Sequence, residues 1–186
     1  MLHRTNARGV LLKSAFLILV ILGASLYGCR KEEKKEAAVS AAQVTPAQAI
    51  PFKFTAFDGR EVSLQGLRGS LVVLNFFASW CGPCKIEAPE IEAAWKDLGG
   101  SGVRFVGIAV DDTEAAAREF VRKFGLTFPT GIDATGQIAD DYKISFIPVT
   151  YFIGRDGTVL RVHSGMVTRD IISSTIAELD SAAASR

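Results

Sequence analysis

The stretch that decides the fold runs from Leu71 to Cys84 and reads Leu-Val-Val-Leu-Asn-Phe-Phe-Ala-Ser-Trp-Cys-Gly-Pro-Cys. Its first seven residues are almost entirely apolar, which is typical of a strand at the centre of a sheet. Apolar residues then recur at helical spacing, so the pattern predicts a buried strand that delivers two cysteines to the start of a helix. A thiolate at a helix N-terminus is stabilised by free N–H groups and by the helix dipole, so these thiols are expected to be reactive.

The spacing of Cys81 and Cys84 has three possible interpretations. A second thiol three residues after the first can attack a mixed disulfide and release the product, which is redox chemistry. A closed zinc site needs another pair of ligands, but the remaining cysteine, Cys29, and the two histidines, His3 and His163, are isolated in the sequence. A structural disulfide across so short a loop would constrain the unfolded chain little. The redox interpretation is therefore favoured, with no metal and no diffusible cofactor expected.

The composition predicts one folded domain with additional sequence. The chain has 186 residues, 48% of them hydrophobic, and a formal net charge of +1. That length fits a single domain of ordinary size with some sequence to spare. No basic face can be built from so balanced a set of charges, which excludes nucleic acid as a partner.

Residues 1–28 are predicted to be an export signal. Their only charged side chains are Arg4, Arg8 and Lys13, and a short apolar run follows. The segment ending at Cys29, Leu-Tyr-Gly-Cys, resembles a bacterial lipobox, in which the cysteine receives a diacylglycerol and becomes the new N-terminus. That resemblance implies lipidation of Cys29 and a membrane anchor, while an ordinary signal peptide or an uncleaved signal anchor is the alternative.

The rest of the chain divides into two parts. Residues 29–50 are charged and then rich in alanine, which predicts a flexible tether, and residues 51–186 are predicted to fold. Strands alternate with helices along the folded part, and an antiparallel hairpin follows, which predicts an α/β domain with a mixed sheet. The expected elements are a hairpin over 52–64, strands over 71–77, 103–110 and 128–132, helices up to Leu98, up to Phe124, over 137–142 and over 168–179, and a second hairpin over 149–163.

Residues 75–85 and 146–150 carry a family resemblance. They resemble the thioredoxin fold and, more narrowly, the membrane-tethered, extracytoplasmic thiol-disulfide oxidoreductases of the TlpA/ResA type. The resemblance covers about residues 52–180. It implies a thioredoxin fold with an N-terminal β-hairpin and a central helix-strand insertion before Pro148.

The same resemblance implies roles for four residues. Cys81 would be the more exposed, attacking nucleophile and Cys84 the resolving thiol. Pro148 matches the cis-proline that faces the disulfide in this family, where it turns the backbone of Ile147 toward an incoming peptide. A plain strand-edge proline is the alternative for Pro148. Apart from the resemblance, Trp80 is expected to cover the thiols and to offer a flat docking surface, with core packing as the alternative.

Glu87 is the candidate acid/base. Thioredoxins carry a buried aspartate at the position of Asn75, and an amide cannot exchange a proton. Glu87 lies three residues after Cys84, so the two side chains share a helix face, and ResA-type proteins carry a glutamate there. The hypothesis is that Glu87 exchanges a proton with Cys84 and that burial raises its pKa. A solvated helix glutamate is the alternative.

The predicted function is reduction of disulfides in exported proteins by dithiol exchange. The resemblance implies a membrane electron donor of the DsbD/CcdA kind and apocytochrome c as one client. A copper chaperone of the Sco type is an alternative, but it uses CxxxC with a histidine, and only His163 supports it here. A peroxiredoxin-type peroxidase is another, but its Pro-x-x-x-Thr-x-x-Cys motif is replaced by Leu74 and Ala78 at the matching positions.

Overall fold

A computed structural model describes residues 47–184. The expected signal, Cys29 and residues 29–46 of the expected tether lie outside this range. The elements are, in chain order, β1 (Lys53–Thr55), β2 (Glu61–Ser63), β3 (Leu71–Phe77), α1 (Gly82–Leu98), β4 (Val103–Ala109), α2 (Glu114–Phe124), β5 (Thr130–Ile132), α3 (Gln137–Asp141), β6 (Val149–Ile153), β7 (Val159–Ser164) and α4 (Arg169–Ala184). None of these helices is long and apolar enough to cross a membrane.

Within the described residues, β3 lies at the centre of a five-stranded sheet with the order β5-β4-β3-β6-β7. It runs parallel to β4 and antiparallel to β6, so the sheet is mixed as expected. All seven residues of β3 are buried, which explains why its sequence is a continuous apolar run rather than an alternating one. The hairpin β1-β2 forms a separate two-stranded sheet.

The two faces of β3 belong to different apolar clusters. Val72, Leu74 and Phe76 pack against residues of the N-terminal hairpin and of α3. Leu71 and Val73 face the other way, toward α1 and α4. Successive side chains of a strand alternate between its faces, so Asn75 points toward the helices on the same side as Leu71 and Val73.

Helix α1 begins two residues after the exposed Trp80 and ends at Leu98. Cys81 is its N-cap, Pro83 lies in its first turn, and Gly99 follows its last residue. Proline suits the first turn because its missing N–H would have no helical partner there. The buried residues of the helix recur at helical spacing: Cys84, Glu87, Ala88, Ile91, Glu92 and Ala94. The same spacing places Glu87 on the buried face of the helix, together with Cys84.

Two boundaries differ from the sequence expectation by more than two residues. Helix α4 continues to Ala184, beyond the expected end at residue 179. Residues 47–50, expected to be the end of the tether, lie against the β6-β7 turn: the carbonyl of Ala47 accepts the N–H of Val159 at 2.8 Å, and the N–H of Ala49 donates to Gly157 at 2.9 Å. Residues 47–50 are therefore attached to the folded domain by backbone hydrogen bonds.

Candidate active site

Cys81 and Cys84 form a disulfide at the start of α1. The Sγ of Cys81 accepts the backbone N–H of Cys84 at 3.1 Å, so this sulfur takes the place of an N-cap oxygen. Cys81 is 4% exposed and Cys84 is 1% exposed. A thiolate formed at Cys81 would therefore receive a hydrogen bond from the helix end, and a partner can reach the pair only from the Cys81 side.

The loop before the cysteines is anchored to the end of β4. The N–H and the hydroxyl of Ser79 both donate to the carboxylate of Asp112, at 2.6 Å and 2.9 Å. The indole Nε1 of Trp80 donates to the carbonyl of Asp111 at 2.8 Å. Asp111, Asp112 and Thr113 all precede α2, and of the three only Thr113 caps that helix through its hydroxyl. Nothing in the sequence near Asp112 signals its contact with Ser79, because the two lie 33 positions apart.

The peptide bond between Ile147 and Pro148 is cis, as the family resemblance implied. Pro148 is buried, and its carbonyl accepts the N–H of Gly165 at 2.9 Å. Ile147 is half-buried and packs against the apolar cluster that contains both cysteines. The start of β6 thus lies beside the disulfide.

Glu87 is buried, with 2% of its surface exposed, and is not the solvated helix glutamate that was the alternative. Its Oε1 accepts the amide of Asn75 at 3.0 Å, and its Oε2 accepts the N–H of Val167 at 3.0 Å. Asn75 also donates to the hydroxyl of Thr150, its directly opposed partner on β6. Burial raises the pKa of Glu87 to about 7, while the hydrogen bonds from Val167 and Asn75 act in the opposite direction. The carboxyl can therefore take up and release a proton near neutral pH.

A small cavity is lined by both Cys84 and Glu87. Its volume is about 10 Å³, and Asn75 also belongs to its wall, the other residues being apolar. That volume is close to the roughly 10–15 Å³ that one water molecule needs. The cavity therefore offers room for about one water molecule, through which a proton could pass between Cys84 and Glu87.

Exposed apolar side chains lie close in sequence to the site residues. They are Trp80, Ile86, Phe146 and Met166, with 57%, 66%, 54% and 45% of their surfaces exposed. Of these four, only Trp80 is predicted from the sequence as a surface residue, because an exposed apolar residue in a loop or on a helix cannot be distinguished from a core residue by its type alone. Clusters of exposed apolar side chains mark surfaces that bind partners.

His163, the one histidine that supported a copper site, lies on β7. Its Nε2 is 3.0 Å from the carbonyl of Met166. Among residues 47–184, no group of three His, Cys, Asp or Glu side chains is arranged to hold a metal ion.

Comparison with known proteins assigns the chain to a family. A model of the AhpC/TSA family matches residues 46–162. Over 113 residues the chain is 38% identical to thiol-disulfide oxidoreductase ResA of Oceanobacillus iheyensis, an alignment that covers 61% of this chain and 59% of that protein. ResA of Bacillus thuringiensis subsp. konkukian is 30% identical over 165 residues, which cover 86% of this chain and 91% of the relative.

Solved structures agree with the sequence comparison. A thiol:disulfide interchange protein of the thioredoxin family from Chlorobium tepidum superposes with a TM-score of 0.67 at 27% identity, over 74% of this chain and 98% of that one. The mixed sheet, the N-terminal hairpin and the α2-β5 unit inserted before Pro148 are the features that the resemblance implied. The chain belongs to the AhpC/TSA family and has the thioredoxin fold, and the relatives named here are thiol-disulfide oxidoreductases.

Proposed function

We propose that the protein is an extracytoplasmic thiol-disulfide oxidoreductase that reduces disulfides in exported proteins. The observation that carries the proposal is the placement of Cys81: its sulfur caps α1 and lies at the accessible side of a buried cysteine pair. The ResA relatives support the same chemistry. The Gly-Pro dipeptide between the cysteines resembles that of reducing thioredoxins.

The reduction of a client needs the two thiols of the reduced protein and one client disulfide. The Cys81 thiolate attacks one client sulfur, which forms a mixed disulfide and releases the other client sulfur as a thiolate. Cys84, once deprotonated, attacks Sγ of Cys81. That step releases the second client thiolate and leaves the Cys81–Cys84 disulfide, so two electrons have moved to the client. A dithiol donor on the membrane, of the DsbD/CcdA kind, would return the pair to the reduced state.

Glu87 is proposed to accept the proton of Cys84 in the second step. The two residues lie one helical turn apart and share the wall of one small cavity. The raised pKa of about 7 lets the carboxylate act as a base near neutral pH and then release the proton. Asn75 of β3 donates a hydrogen bond to Glu87 and holds it toward the cavity. The proposed base thus belongs to helix α1, and the strand contributes only its hydrogen-bond donor.

Clients are proposed to bind across Trp80, Ile147 and Pro148, with apocytochrome c as one of them. In such a client, the haem-attachment cysteines must be reduced before haem is joined to them. The exposed side chains of Phe146 and Met166 extend this surface. An unfolded peptide could lie along it with its disulfide above Cys81.

The membrane anchor is proposed from the sequence alone. Residues 1–28 have the basic and apolar regions of an export signal, and Cys29 follows the lipobox-like Leu-Tyr-Gly. Lipidation of Cys29 would hold the domain at the membrane through the segment that precedes Ala47.

Replacement of the resolving thiol should trap the client. We expect reduced Cys84→Ser to accumulate a mixed disulfide through Cys81 with a peptide whose Cys-x-x-Cys-His motif is oxidised, because the second attack cannot occur. Mass spectrometry of the adduct measures it. Cys81→Ser is the matched control and should form little adduct, since Cys84 is 1% exposed. Equal trapping by both variants would refute the assigned roles.

The direction of electron flow follows from the reduction potential of the Cys81–Cys84 pair. We expect a value near that of thioredoxin, about −270 mV, measured by equilibration with glutathione or dithiothreitol. A value near −120 mV, typical of a strong oxidant, would reverse the proposed direction.

Glu87→Gln should slow the resolving step in a pH-dependent way. Near pH 7 the loss of a general base is expected to lower the exchange rate roughly 100-fold. The difference should shrink as the pH rises, because the Cys84 thiol then ionises without help. Stopped-flow exchange with an oxidised peptide measures the profile, and Glu90→Gln, one turn further along α1, is the control. Rates equal to wild type from pH 5 to 9 would exclude Glu87 as the base.

Lipidation can be tested in cells with a labelled fatty acid. Wild-type protein is expected to take up the label and to sediment with membranes, because a cysteine in the lipobox position is acylated. Cys29→Ser should lose the label, whereas Cys84→Ser should keep it. Absence of label from the wild type would disprove the anchor.

A further inference from the structure

One peptide group touches both His163 and Glu87. The carbonyl of Met166 lies 3.0 Å from Nε2 of His163. The N–H of Val167, which belongs to the same peptide group, donates to Oε2 of Glu87 at 3.0 Å. His163 therefore contacts the carbonyl oxygen of one peptide group, and Glu87 accepts the N–H of the same group.

The chemistry of the contact defines what His163 does. A carbonyl oxygen can only accept, so Nε2 of His163 must carry a hydrogen, as it does in one neutral tautomer and in the imidazolium. A donor at the oxygen of a peptide group polarises it and strengthens its N–H as a donor. The bond from His163 to Met166 thus supports the bond from Val167 to Glu87.

The segment 165–167 connects this pair to the substrate side of the site. The N–H of Gly165 donates to the carbonyl of Pro148, and Val167 is buried with 1% of its surface exposed. Between them Met166 is 45% exposed, and His163 is the described side chain that holds its carbonyl.

The sheet register places His163 on the side of the sheet that carries Glu87. His163 is directly opposite Thr150 in the antiparallel pairing of β6 and β7. Opposed residues of such a pair project to the same face. Thr150 accepts a hydrogen bond from Asn75, which also donates to Glu87.

We propose that His163 is a positioning residue for Glu87, which holds the Met166–Val167 peptide group so that the N–H of Val167 stays directed at Oε2 of the carboxylate. The importance of this residue for exchange rests on the proposed role of Glu87 as the base for Cys84. The residue needs no metal and no change of its own charge to act in this way.

Other charged groups lie on the elements that pack on this side of the sheet. Arg161, two residues before His163 on β7, pairs with Glu178 of α4, and Arg169 of α4 pairs with Asp97 of α1. The other charged side chains of these two helices are Lys85, Glu90, Glu92 and Lys96 of α1 and Asp170 and Asp180 of α4. Glu90 accepts the N–H of Arg169, Glu92 pairs with Lys96, and Asp180 pairs with Arg155. Removal of the Arg161 charge is therefore the control, because it shows whether the loss of any nearby charged or polar group changes the pKa of Glu87.

The test measures the pKa of Glu87 and the exchange rate in the same variants. Carboxyl ¹³C NMR titration of the oxidised, full-length protein reports the pKa of Glu87. In His163→Phe the bond from Val167 weakens, and because that bond favours the charged carboxylate, the pKa of Glu87 should rise by roughly one pH unit. His163→Gln, whose amide can donate to Met166, should restore at least half of that shift. Arg161→Gln should leave the value close to wild type.

Each outcome decides a separate point. An unchanged pKa in His163→Phe, or an equal shift in Arg161→Gln, would overturn the positioning role. A raised pKa in His163→Phe with the pH profile of exchange displaced upward by the same amount supports both assignments. A raised pKa with wild-type exchange rates at every pH supports the positioning role and removes Glu87 as the base. If His163→Phe does not fold, the comparison of wild type with His163→Gln and His163→Asn, whose shorter amide reaches less far, carries the same test.

Discussion

The arrangement of the site depends on the hydrogen bonds that the buried carboxyl group of Glu87 accepts. It joins α1 to β3 through Asn75 and to the segment before α4 through Val167. A buried charge is costly unless its lone pairs are satisfied, and here each oxygen accepts one hydrogen bond. Both donors belong to residues that cannot themselves titrate, which leaves Glu87 as the group that gains or loses the proton. Burial alone would push its pKa higher, and the two donors hold it near neutrality.

The position of this carboxylate follows from two periodicities that meet at the cysteines. The period of two along β3 turns Asn75 toward the helices, and the helical period of α1 turns Glu87 toward the sheet. Helix α1 begins at Gly82, five residues after β3 ends at Phe77. This short connection fixes which residues of the helix face Asn75 on the strand. The carboxylate therefore lies on the helix, three residues after Cys84, and the strand contributes Asn75 as its hydrogen-bond donor.

The features that could be predicted from the sequence are those that depend on the order of apolar and polar side chains. Strand β3 was predicted residue for residue because its apolar run is bounded by loop residues. Partial burial of Glu87 was a hypothesis that rested on its spacing to Cys84 and on the family resemblance. The attachment of residues 47–50 was missed because it is made by backbone groups of Ala47 and Ala49, which no composition reveals. The bond from Ser79 to Asp112 was missed for a related reason: a short polar residue before a helix fits a cap equally well, and only the tertiary fold brings the two loops together. The cis bond before Pro148 came from family resemblance, since most such bonds are trans.

The near-complete burial of both cysteines limits what can reach them. With only 4% of Cys81 and 1% of Cys84 at the surface, the disulfide presents almost no area to small molecules that meet it by diffusion. Trp80, directly before Cys81, is 57% exposed. Access to the pair is therefore a matter of shape, because the surface around Cys81 and Trp80 determines which molecules can approach the disulfide.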